Sequence, residues 1–132
     1  MGGDYIKRMG VPSVWIAVIR CADRRAMDTK QLLQQTLEID KKMGGYDKFQ
    51  RLADAMEELG ETAAAMVVVE GVKKTNDPKK QYTIHDVADG LADTMYALVL
   101  LAHQYNIDLF QEYGEMIKRL QKRVESGEFK YD

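Results

Sequence analysis

The punctuation of helix starts and stops constrains this chain more than any other feature. Asp28-Thr29-Lys30-Gln31, Asp47…Gln50 and Asp108…Gln111 each place a capping acid three residues before a glutamine, and Thr83…Asp86 is a close relative. In this capping box the first side chain accepts from the helix backbone and the later one reaches back to the cap. Stops are marked as clearly. Gly44-Gly45, Gly71, Asn106 and Gly127 suit the left-handed position that ends a helix. Only Pro12 and Pro78 interrupt the chain, both outside the periodic segments. The pattern predicts four helices near residues 28–43, 47–70, 83–105 and 108–126, an all-α bundle.

Apolar residues recur along these segments at helical spacing. The first helix is expected to bury Leu32, Leu33, Leu37 and Ile39. The second carries a stripe of Phe49, Leu52, Met56, Leu59, Ala63 and Val67, and the third one of Ile84, Val87, Leu91, Met95, Leu98 and Ala102. The fourth uses Leu109, Met116, Ile117, Leu120 and Val124. Between the second and third lies a polar loop with Lys73, Lys74, Lys79 and Lys80. Residues 1–27 read as an N-terminal arm and 28–132 as the all-α domain. Within the arm, residues 14–19 suit either a strand or a buried helix, with a helix from Pro12 through Arg24 slightly preferred.

Composition narrows the function classes. At 132 residues the chain has room for one core. A net charge of −2 gives no basic field for duplex nucleic acid. One cysteine, Cys21, cannot staple a fold and suits a reducing cytoplasm. His85 and His103 lack partners at zinc spacing. No apolar run is long enough to span a membrane, and the first residues carry no secretory signal pattern. Walker A and GxGxxG glycine loops are absent.

What remains is acid. Glu57, Glu58 and Glu61 fall within an arc of roughly 100° on the second helix, and Asp86, Asp89 and Asp93 within roughly 60° on the third. Each ladder lies opposite its helix's main apolar stripe, where a solvated face belongs. Yet the second helix continues as Ala63-Ala64-Ala65-Met66-Val67-Val68-Val69, and the third carries Tyr96, Ala97, Leu100 and Leu101 along its acid side. The acid faces are therefore expected to run into buried interface covered by a second chain. Packed antiparallel, both ladders stand roughly 13 Å from the intervening loop and meet at one level. Crowded carboxylates repel unless a cation lies between them, and hard Mg²⁺ (or Mn²⁺) is the first candidate.

With these residues in view, residues 28–126 resemble the MazG-like all-α nucleoside triphosphate pyrophosphohydrolases. Their signature is EExxE on one helix and ExxD on the next. Glu57-Glu58-Leu59-Gly60-Glu61 matches the first half in full, and Leu91-Ala92-Asp93 with Asn106-Ile107-Asp108-Leu109 resembles the following helix and its exit. One departure stands out: the signature glutamate falls at Gly90. Asp89 or Asp86 would have to substitute, and Asp89 ranks higher because Asp86 also serves as the capping partner of Thr83.

The resemblance implies a four-helix bundle completed by homo-oligomerisation, a homodimer or homotetramer in the cytoplasm. It implies Mg²⁺-dependent hydrolysis of a nucleotide to the monophosphate and pyrophosphate, with phosphoribosyl-ATP among the possible substrates. Glu57, Glu58, Glu61, Asp89 and Asp93 become metal ligands, and Glu57 or Glu58 the base for an attacking water. Lys48, Tyr96, Lys118, Lys122 and Arg123 become candidate substrate contacts. Bland readings stand beside these: Phe49 next to Lys48 as core, Tyr96 as interface packing, and the late basic residues as partners of the helix dipole. The rival function is a catalytically impaired helical oligomer that binds nucleotide or a partner protein, with Gly90 marking the lost chemistry.

Overall fold

The computed structural model describes residues 28–75 and 79–128. The sequence readings for residues 1–27 lie outside them. Four helices follow in order: α1 (Thr29–Lys42), α2 (Lys48–Val69), α3 (Ile84–Gln104) and α4 (Leu109–Glu125). Their bounds fall within a residue of those the capping signals predict.

Two of the four signals form full reciprocal boxes, at Asp47 and at Thr83. Asp47 accepts from the backbone N–H groups of Phe49 and Gln50, and the Gln50 side chain accepts from the Asp47 N–H. Thr83 and Asp86 form the same reciprocal box at the start of α3. Asp108 caps α4 through the Gln111 N–H. At the stops, Gly44, Gly45, Gly71 and Gly127 all take positive φ, and Asn106 is the one non-glycine among the described residues that does so.

The described residues from 33 onward form one compact unit whose centre is the α2–α3 pair. Its buried apolar residues are small: Ala55 and Ala65 from α2, and Val87, Ala97, Val99, Leu100 and Ala102 from α3. Small side chains let the two backbones approach closely. The tightest point is Gly90, where an added Cβ would stand 2.1 Å from Thr62 Oγ1 and 3.1 Å from Thr62 Cβ. Two threonines line this crossing. Thr62 donates to the Glu58 carbonyl and Thr94 to the Gly90 carbonyl, so each hydroxyl is satisfied within its own helix.

α1 is tied to α2 by charge. Arg51, only 3% exposed, pairs with Asp40 of α1 and, at 3.3 Å, with Asp54 one turn further along α2. Its guanidinium also lies over the rings of Tyr46 and Tyr96. Gln104 at the end of α3 donates to the Tyr46 carbonyl and fastens the α1–α2 turn to the pair. α4 touches α3 lightly.

Several expectations are overturned, first on α1, where Leu32 and Ile39 are exposed rather than buried. The main apolar stripes of α2 and α3 do not face each other. Phe49 is 73% exposed, and Leu52, Met56, Leu59, Ile84, Leu91, Met95 and Leu98 are exposed too. The row of α2 that meets α3 is Arg51, Ala55, Thr62 and Ala65, set between the stripe on one flank and the acids on the other. The reason is steric. A row of alanine, threonine and glycine permits closer helix packing than a row of leucine and methionine. The acid side also differs from expectation, because Ala97 and Leu100 are already buried without a second chain. The uncovered apolar surface lies on the opposite flank.

Candidate active site

α2 supplies most of the acids. Asp54, Glu58 and Glu61 recur at i, i+4 and i+7, with Glu57 beside them, so successive turns present carboxylates along one flank. α3 adds Asp93 from across the helix pair. Glu58 is the half-buried centre of this group. Its carboxyl is pushed above the usual range, first by burial and then by the charges of Asp93, Glu61, Asp54 and Glu57. Four carboxylates from two helices thus act on a fifth. Of the expected ladder residues, Glu57, Glu61 and Asp93 lie near enough for their charges to act on Glu58.

Asp89 is not among the charges acting on Glu58. It faces His85 at 3.1 Å, one turn back on α3. Asp86 is held in its capping box, and the Thr83 backbone and side-chain hydrogen bonds lower its pKa. The place of the signature glutamate is closed as well. A side chain at Gly90 would drive into Thr62, whose hydroxyl would have to turn away and whose Cβ would have to give by a few tenths of an ångström.

The basic candidates stand elsewhere. Lys48 lies over the rings of Phe49 and Tyr105 at the start of α2, nine residues and so about 13 Å of helix before Glu57. Phe49 is surface rather than core. On α4, Lys118 pairs with Glu115 and Arg123 with Glu128, each at 2.8 Å, while Lys122 is exposed. Tyr96 is half-buried against Arg51, and its hydroxyl has no hydrogen-bond partner among the described residues; burial raises its pKa.

Arg51, Asp40 and Asp54 are the residues that sequence reasoning missed. Asp54 lies four residues before Glu58 and three after Arg51, the spacing of helix neighbours, and that spacing was the available signal. Through this link the buried guanidinium anchors the first acid of the row.

The donor set is entirely carboxylate oxygen, which suits hard divalent ions such as Mg²⁺ and Mn²⁺ rather than thiophilic ones. Among the described residues no three His, Cys, Asp or Glu side chains stand close enough to enclose an ion. The grouping is electrostatic, shared between side chains with free torsions.

The all-α architecture and a family match over most of the chain make it a MazG-like pyrophosphohydrolase, an enzyme acting on acid anhydrides. More narrowly, residues 25–123 match the PRA-PH family, phosphoribosyl-ATP pyrophosphohydrolase, and the chain belongs to it. Enzymes of this kind generally use divalent metals, and a small nucleotide-like substrate fits the family. No curated protein and no solved structure matches the chain. Among the described residues no helix is long and apolar enough to cross a membrane.

Proposed function

We propose that this protein is a Mg²⁺-dependent nucleotide pyrophosphohydrolase that cleaves between the α- and β-phosphates. One observation carries the reading: Glu58 lies under the combined charge of Asp54, Glu57 and Glu61 from its own helix and Asp93 from the next. Glu57, Glu58, Glu61 and Asp93 would hold the metal. Cations bound there would supply charge neutralisation on the phosphates and acidify water.

The chain's own residues supply the rest. Glu57 or Glu58 would accept the proton of the attacking water. The water oxygen bonds to phosphorus, the bridging P–O bond breaks, and pyrophosphate leaves with the electron pair. Arg51 fixes Asp54 and with it the start of the acid row. Asp89, paired with His85, is an outer candidate that reaches the metal only if that pair opens.

The same reading makes the protein a cytoplasmic homo-oligomer with no role on duplex nucleic acid or at membranes. A second copy laid on the exposed stripes of α2 and α3 would complete a four-helix core and leave the acids facing their substrate. Gly90, packed where the signature has a glutamate, favours the rival of a nucleotide-binding oligomer without turnover. Pyrophosphate release decides between them. Purified protein with phosphoribosyl-ATP or a panel of nucleoside triphosphates and Mg²⁺ should release it, and Glu58→Ala or Asp93→Asn should cut the rate at least about 100-fold. Nucleotide binding without release would favour the rival.

A further inference from the structure

Along the uncovered apolar flank the two helices line up rung by rung. Thr62 meets Gly90 at the crossing, and Arg51 lies over the Tyr96 ring further back. Residues before Thr62 on α2 therefore stand against residues after Gly90 on α3. Met56 precedes the crossing by six residues and Met95 follows it by five, which sets them about 9 and 8 Å along the pair. The two form one rung. Leu52 with Leu98 and Leu59 with Leu91 form the rungs on either side, each within about 3 Å of level by the same count. All six residues are exposed, Met56 at 68% and Met95 at 50%. No charged residue shares this sector of either helix between the outer rungs. A flank free of charge meets no repulsion from its own two-fold copy, which makes a second copy the fitting cover.

Methionine in the middle rung differs from its leucine neighbours in one chemical respect. A peroxide attacks the thioether: the sulfur lone pair takes one oxygen, the O–O bond breaks, and water leaves. The sulfoxide is polar and accepts hydrogen bonds, so it resists the removal from water that the thioether favours. We propose that Met56 and Met95 are a paired oxidation site that governs whether a second copy covers this flank. The proposal rests on the homo-oligomer reading for the occupant and not on the hydrolase chemistry, whose acids lie on the other flank. A free chain exposes both sulfurs, is oxidised by peroxide and no longer assembles. An assembled chain hides them.

Hydrogen peroxide is applied to the full chain at two protein concentrations that bracket assembly. Sulfoxides are located by peptide mass spectrometry, and sedimentation reads the mass in solution. Met56 and Met95 should oxidise at least about tenfold more slowly in the assembled sample, and the oxidised protein should sediment as a single chain. Methionine sulfoxide reductases should restore assembly. Met56→Leu/Met95→Leu should assemble as the parent does and stay assembled after the same peroxide dose. Met43→Leu, at an exposed position after α1, should protect nothing. Oxidised parent that stays assembled, or a Met56→Leu/Met95→Leu protein that peroxide dissociates as readily as the parent, overturns the site and leaves the oligomer standing. A parent that is one chain at every concentration overturns the homo-oligomer reading and the site with it.

Discussion

The α2–α3 pair has two flanks that were built from the same helical period and ended with opposite properties. One carries Asp54, Glu57, Glu61 and Asp93, whose charges act together on Glu58. The other carries Leu52, Met56, Leu59, Leu91, Met95 and Leu98 with no cover from the described chain. Between them runs a narrow seam of alanine, threonine and glycine. Each flank is costly alone, one through repulsion and the other through apolar surface left in water. In the function proposed, each would be relieved from outside the chain: by cations on one side and a second protein surface on the other. The seam is what holds them apart.

The largest expected effect falls on the apolar flank. Met56→Glu/Leu91→Glu should convert an oligomer into a species sedimenting near the 15.1 kDa of one chain. A parent protein already monomeric would break the comparison, because the exposed stripes would then need no cover. A middle-sized effect belongs to the seam. Gly90→Ala sets a methyl against Thr62 and should cost about 1–3 kcal/mol in chemical denaturation. Adding Thr62→Ala removes the 2.1 Å contact and should recover part of that loss. No recovery would show that the crossing is not as tight as described.

The smallest effect is on the acid flank. Glu58 holds its proton more tightly in the folded than in the unfolded state. Its contribution therefore favours folding below the unfolded carboxyl pKa and is lost as pH rises through the raised folded value. Glu58→Gln should raise the Tm of metal-free protein at neutral pH, and the gain should vanish as pH falls toward about 4. A variant no more stable than the parent at neutral pH would mean that the acids do not crowd.

Much of this was legible in the residues, because local chemistry wrote it. Asp47 with Gln50, Thr83 with Asp86, and the left-handed Gly71 and Asn106 set the helix ends through bonds a few residues apart. The acid grouping was legible for the same reason, since i, i+3 and i+4 spacing fixes a shared face. The seam was not. Which stripe of an amphipathic helix meets its neighbour depends on how closely two backbones approach, and Gly90 against Thr62 decides that across 28 residues of sequence. Arg51 was missed similarly, as its partner Asp40 belongs to another helix.

The central claim is that carboxylates from two helices bind divalent cations together. Electron paramagnetic resonance of Mn²⁺, titrated into the metal-free protein, tests it most directly. The account predicts saturable uptake, displaced by Mg²⁺ and weakened at least about tenfold in Glu58→Gln/Asp93→Asn. Absence of uptake, or uptake unaltered in that variant, would contradict it.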